Sequence, residues 1–357
     1  MAQINKPSDY FNTVTWSGDN TDKTISGVGF QPDWIWWKQR NGTDDHRLID
    51  SVRGEGTASY KILFSDLTDA EIDGNDNGGS QGNINAITSD GFSGVQGTSG
   101  WNNWNGSGLN YVGWNWLAGG TGSSNTDGSI TSSVSANTTS GFSIVSYTGT
   151  GANATVGHGL GVAPSMVIIK NRTTAAQNWQ CYHSALGGTK AIELNNGGAS
   201  FTDSTRFNDT NPTSSVFSIG TATDVNTSSA SIIAYCFAEK TGYSKFGSYT
   251  GNGNADGPFI YTGFKPAFFI AKSTSGTNWK LFDNKRANTF NPTQTPFNVN
   301  EADAEDDNAA YALDFLSNGI KLKNTNGNLN NSGNTMIYMA FAEEPLVGTN
   351  NIPATAR

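Results

Sequence analysis

The feature that most constrains this chain is a seven-residue stretch that it spells three times. Pro32-Asp33-Trp34-Ile35-Trp36-Trp37-Lys38, Pro164-Ser165-Met166-Val167-Ile168-Ile169-Lys170 and Pro266-Ala267-Phe268-Phe269-Ile270-Ala271-Lys272 align without a gap. Each is a proline, one variable residue, four mostly bulky apolar residues and a lysine. A short apolar run bounded in this way reads as a strand covered on both faces, and therefore central in its sheet. The proline stands at the first strand residue, where a missing N–H does little harm. A triplicated buried strand predicts a triplicated domain.

Flanking landmarks recur in the same order. An aromatic–hydroxyl–Gly triplet precedes each proline: Trp16-Ser17-Gly18, Tyr147-Thr148-Gly149 and Tyr249-Thr250-Gly251, with the Gly 14, 15 and 15 residues upstream. Gly29-Phe30, Gly159-Leu160 and Gly263-Phe264 come just before the proline, and Asn178-Trp179 and Asn278-Trp279 come after it, with Asp45-His46 in the first copy. Each copy closes on a second apolar run, Tyr111 to Ala118, Ile232 to Ala238 and Met336 to Ala342, which brings Trp116, Phe237 and Phe341 into register. The expectation is an all-β chain of three homologous, antiparallel β-sandwich-like repeats, each about 100–120 residues long. The boundaries are 1–122, a Trp-rich first repeat; 123–240; 241–345; and a C-terminal tail, 346–357. A pseudo-threefold ring and an open row of beads both fit this spacing.

Composition agrees with short strands and tight turns. Charged residues make up 14% of the chain and aromatics 11%, while Gly numbers 43, which gives little material for helices and does not describe disorder. A net charge of -9 without a basic cluster argues against nucleic-acid binding and against docking to anionic lipid. No apolar run approaches the length of a membrane span, and the N-terminus lacks the apolar core of a signal peptide, so no membrane insertion and no ordinary export are expected. Two cysteines, Cys181 and Cys236, make no disulfide framework and read as small buried hydrophobes.

Eight of the ten tryptophans lie in the first repeat. Trp34, Trp114 and Trp116 align with core positions of the other copies. Trp101 and Trp104 stand in the polar stretch Gly100-Trp101-Asn102-Asn103-Trp104-Asn105-Gly106. Aromatics in such a loop are candidates for contact with a partner chain or a sugar, with loop packing as the alternative, and they are expected to be more exposed than Trp114 and Trp116. Asp73, Asn75 and Asn77 lie at alternate positions of Asp73-Gly74-Asn75-Asp76-Asn77-Gly78, like the first half of a calcium loop. The twelfth position of that loop holds Ile84 where a bidentate Glu belongs, so Ca2+ is a weak reading and turn chemistry the stronger one.

His46, Asp50, Ser51 and Arg53 crowd one stretch, yet neighbours in a strand alternate faces and make no catalytic constellation. Asp44, Asp45, Asp50 and Glu55 would have to supply carboxylates about 5–10 Å apart for a polysaccharide-cleaving enzyme, and the other repeats do not match them. The acidic run Glu301 to Asp307 reads as a solvated loop or one helical turn. Gly119 to Ser124 reads as a linker, and the alternation Ser129 to Val134 as an extra edge strand.

Gly141 to Gly149, Val156 to Leu160, Phe246 to Gly253, Asp50 to Gly54 and Ser215 to Gly220 together resemble an uncharacterised family of proteins encoded by tailed bacteriophages, marine ones especially, and regarded as virion-associated. The resemblance spans about residues 10–345. It implies a virion structural protein, a head decoration or a tail or fibre component, in contact with other capsid or tail subunits. It carries over no catalytic or ligand-binding residue. A glycan-binding adhesin of the tail, contacting a host surface sugar, is the alternative.

Overall fold

The computed structural model describes residues 3–56, 59–74, 82–97, 104–286, 290–349 and 351–356. The fold is almost entirely β, with every strand pairing antiparallel apart from one isolated parallel bridge among these residues. Three large sheets share one strand order. In the first, Phe11–Ser17 pairs with Asn110–Trp116, then come Trp34–Gln39, Arg47–Asp50 and Leu63–Phe64. The third runs Ser244–Thr250, Thr335–Pro345, Phe264–Ser273, Lys280–Asp283 and Phe297–Asn298. The second repeats this with Phe142–Thr148, Ser231–Phe237, Met166–Asn171, Gln180–His183 and Lys190–Glu193, and adds Phe201–Thr202 at one edge and Ser132–Asn137 and Ser123–Asn125 at the other. A small sheet accompanies each large one: Lys23–Ser26, Gly91–Val95 and Asn83–Thr88; Ala154–Gly157 and Val216–Ile219; Phe259–Tyr261, Gly319–Leu322 and Leu313–Leu316. Each large sheet with its small companion is called a module below.

The strand carrying each Pro-to-Lys stretch is central, flanked by the closing run on one side. Residues Trp34–Gln39 and Met166–Asn171 are buried throughout. Their alternation distributes side chains between two cores. Trp34 and Trp36, Met166 and Ile168, and Phe268 and Ile270 face one core common to all three modules. Ile35 and Trp37, Val167 and Ile169, and Phe269 and Ala271 face three separate cores, each between a large sheet and its small companion. The apolar run thus has no polar member because neither face meets water. The closing aromatics come together in the common core, with ring centroids 5.7 Å apart for Trp116–Phe341 and 6.0 Å for Phe237–Phe341.

Contacts between modules run in one sense and return to their start. Trp179 Nε1 of the second module donates to Phe64 O of the first at 2.7 Å, and Trp279 Nε1 of the third to Glu193 O of the second at 2.8 Å. His46 of the first stands 3.1 Å from Asn298 O of the third through Nε2. Its Nδ1 accepts from Trp36 Nε1 at 3.0 Å, which leaves the proton on Nε2 and makes it the donor. Phe64, Glu193 and Asn298 occupy one register position, opposite Arg47, Gln180 and Lys280. A second set of three joins the same pairs of modules with donor and acceptor sides exchanged: Glu71 N to Arg172 O at 2.7 Å, Ser200 N to Thr274 O at 3.0 Å and Glu305 N to Arg40 O at 2.8 Å.

Three local expectations need correction. The segment around Gly119 to Ser124 is no free linker: Gly119 N donates to Ser135 Oγ, Ser51 Oγ donates to Gly120 O, and Ser123–Asn125 is a strand. The extra strand falls at Ser132–Asn137, and Ile130 instead forms a parallel bridge with Val156. The acidic run is not simply solvated either, because Glu305 is held between Arg40 and Arg286.

Candidate functional site

Most of the reactive side chains described are taken up inside the fold. All three histidines are buried, and burial holds each below its usual range, so they are neutral at pH 7. Cys181 and Cys236 are free thiols buried in strands, and burial raises both. Asp44 is gripped by Arg47, and Asp50 by Arg53 and by Tyr235 Oη at 2.7 Å. Among the described residues no three His, Cys, Asp or Glu groups converge as metal ligands.

Of the three candidate calcium ligands only Asp73 lies among the described residues. Asn75 and Asn77 lie outside the described residues, and the Asp73 carboxylate packs against Gly56, where a Cβ would collide with it. Trp101 also lies outside the described residues. Trp104 overturns the expectation of an exposed loop aromatic: it is 0% exposed, like Trp114 and Trp116. Its ring lies 6.0 Å from Trp16 and 6.4 Å from Phe92, and its carbonyl accepts from Trp16 Nε1 at 3.0 Å. Gly94, on the facing strand, makes room, since a Cβ there would overlap the Trp104 ring. A polar stretch of sequence thus delivers one core side chain.

The exposed aromatic surface lies elsewhere. Phe259 and Tyr261, 46% and 57% exposed, share the outer face of the edge strand Phe259–Tyr261. Tyr261 and Val347 line a cleft of 360 Å³ with Gln3, Glu239, Lys240 and Lys245. Ile352, 65% exposed, lines a second cleft of 360 Å³ with Asn5 and Pro345, and a bridge between Val347 and Pro353 ties the two together. A third cleft, 370 Å³, lies beside Lys6, Tyr10 and Lys240. The floor is Ile4, buried in the common core with its N–H on Thr241 O at 3.0 Å. Four of the five exposed large hydrophobic side chains among the described residues therefore belong to this edge strand and the clefts beside it.

The second module shows the same edge covered. Val156 and Ile260 correspond, since both are the buried middle residues of paired small-sheet strands. In the second module, Ile130 N donates to Thr155 O at 3.1 Å, and Asn125 sits so close to Gly157 that no Cβ fits there. The residue matching Gly157 in the third module is Tyr261. Small and polar residues lie under a covering segment, whereas the aromatics stand where none of the described residues forms one. Neither aromatic was singled out from sequence, although Phe259-Ile260-Tyr261 beside Thr155-Val156-Gly157 was the available signal.

The arrangement offers apolar area beside polar rims, and Glu239, paired with Lys245 at 2.6 Å, lines the cleft beside Tyr261. It suits contact with a polypeptide or a sugar. A family model described as a domain of unknown function, DUF7483, matches residues 6–345. The chain belongs to the DUF7483 family. The match takes in all three modules, Phe259 and Tyr261 included, and ends before Val347 and Ile352. No curated protein matches the chain.

Proposed function

We propose that this DUF7483 chain is a structural protein of a tailed-phage virion, a head decoration or a tail or fibre component, that contacts other virion proteins. The observation that carries the proposal is the apolar surface of Phe259, Tyr261, Val347 and Ile352 on a body whose described histidines and cysteines are buried. Contiguous exposed apolar area of this kind marks a place of protein contact. The likeness to phage proteins and the closed order of module contacts support the same reading. Three repeats arranged about a pseudo-threefold axis would let one chain stand where a trimer otherwise stands.

A second reading, a glycan-binding adhesin, draws support from Tyr261, an exposed ring at the rim of a cleft that also holds Gln3, Glu239, Thr241 and Ser244. The deciding experiment uses purified particles of a phage that encodes the chain. Mass spectrometry and electron cryomicroscopy are expected to find it on the particle, and its absence there would overturn the proposal. Y261S particles separate the two readings. Loss of the chain from the particle supports protein contact; a retained chain with weakened adsorption to host cells supports sugar binding.

A further inference from the structure

We propose that Asp66, set against Asp45, holds a proton and forms a pH-sensitive latch on the seam where the first module meets the third. The argument is internal to the molecule and independent of the phage proposal. In the second module Trp179 N donates to Asn195 Oδ1 at 2.8 Å, and Asn195 Nδ2 donates to Asn178 Oδ1 at 2.9 Å. In the third, Trp279 N donates to Asn300 Oδ1 at 2.8 Å, and Asn300 Nδ2 donates to Asn278 Oδ1 at 2.9 Å. The first module keeps the opening half of this pattern, with His46 N donating to Asp66 Oδ1 at 3.0 Å. Both amides, however, are replaced by acids, Asp66 and Asp45. Asp66 is 8% exposed, the same value as Asn195 and Asn300, so the environment is matched and only the chemistry differs.

Asp66 Oδ2 is buried and receives no hydrogen bond, and the Asp45 carboxyl is its acidic neighbour. Two carboxylates cannot donate to each other. A proton on Asp66 Oδ2 restores the missing donor and reproduces the Nδ2 donation of Asn195 and Asn300. Burial first, and the Asp45 charge second, push the Asp66 carboxyl up to about 7. The surrounding charges do not cancel this. Lys38 feels Asp44, Asp45 and Asp66, but its ammonium donates to Gln39 O and Gly42 O. Arg47 is forked onto Asp44, and from the third module Arg286 is bound to Asp283.

The pair sits among the groups that close the seam: Asp44 N donates to Ala302 O at 2.9 Å, Ser65 Oγ to Val299 O at 3.3 Å, and His46 Nε2 to Asn298 O. Ionising Asp66 sets its charge against that of Asp45 beside all three contacts. The sign follows from linkage. An acid whose folded-state value is raised binds its proton more tightly when folded, so its stabilisation is complete below the unfolded value near 4. That stabilisation declines as pH rises toward about 7 and stays lost above it.

The test compares the thermal midpoints of wild type and D66N between pH 4 and 9. D66N rebuilds the amide of the sister modules and cannot ionise. The two midpoints are expected to coincide near pH 4, with D66N ahead by about 3–6 °C at pH 7 and above. A difference that does not change with pH overturns the latch. Should D66N fail to fold, the carboxyl carbon shift of Asp66 in isotopically labelled wild type decides alone. A titration midpoint near neutrality keeps the proposal, and an ordinary aspartate midpoint overturns it.

Discussion

Among the described residues two of the three seams between modules carry arginine–carboxylate pairs and the third does not. Where the second module meets the first, Arg53 holds Asp50 and Glu71, Arg172 joins Glu71 at 2.8 Å, and Tyr235 Oη caps Asp50. Where the first meets the third, Arg286 holds Asp283 at 2.6 Å and Glu305 at 3.2 Å, Arg40 joins Glu305 at 2.9 Å, and Trp114 Nε1 caps Asp283 at 2.9 Å. Where the third meets the second, the matching positions are His183, Leu186, Ser200, Thr274 and Met339. With no hydroxyl or indole on Met339, His183 Nε2 turns to Tyr338 O at 3.1 Å. One backbone frame therefore accepts either solution. A neutral seam works if His replaces Asp together with Leu for Arg and Ser for Glu, since a lone survivor would be a buried charge without a partner.

The largest effect is expected from taking one member out of a charged seam. Arg286→Ala leaves the buried Asp283 carboxylate uncompensated and should cost about 3–5 kcal/mol in denaturant unfolding, and Arg53→Ala should match it. A loss no larger than an ordinary surface substitution would show that these seams do not depend on the pairing.

The next experiment moves the charged solution into the neutral seam. Leu186→Arg alone should destabilise by about 2–4 kcal/mol, because the guanidinium meets a neutral His183. Adding His183→Asp should recover about 1–3 kcal/mol as coupling, measured as a double-mutant cycle. Strict additivity would mean that the seams are not interchangeable.

Acid should separate the seams more gently. Burial works to raise Glu71 and Asp283, but the arginines outweigh it and hold both below the usual carboxylate range. Folded values that are depressed give stability present above the unfolded value near 4 and lost as pH falls below it. Wild type should weaken along that course, while Arg286→Ala, freed of the Asp283 contribution, should weaken less steeply. Parallel curves would remove Asp283 from the account. Smallest of all, Tyr261→Ser should leave stability within about 0.5 kcal/mol of wild type, as expected of an exposed side chain outside every seam. A larger loss would assign Tyr261 to the fold.

The central strands were legible because every residue from Trp34 to Trp37 is buried, so that packing on both faces is written into a contiguous run. The strand order could be aligned from the closing runs for the same reason. Trp104 was not legible, since its burial depends on an absent side chain at Gly94, in a different strand. The seams were half visible. Asp45-His46 stood out as the departure from Asn178-Trp179 and Asn278-Trp279, but nothing in sequence tells which carbonyl a ring nitrogen reaches in another module. The exposed Phe259 and Tyr261 escaped notice because apolar alternation looks the same whether the outer face is wet or covered.

The lysine that ends each Pro-to-Lys stretch has a practical consequence. Lys38, Lys170 and Lys272 are all 0% exposed, and burial lowers each to about 8, a shift that lasts only while the amine is covered. Lys170 Nζ donates to Thr68 O of the first module at 2.9 Å, and Lys272 Nζ to Asn196 O of the second at 2.8 Å. An acylating reagent can reach these two amines only when the corresponding neighbour draws away. Their labelling rates, read peptide by peptide, would time the breathing of individual seams in a molecule that is otherwise folded.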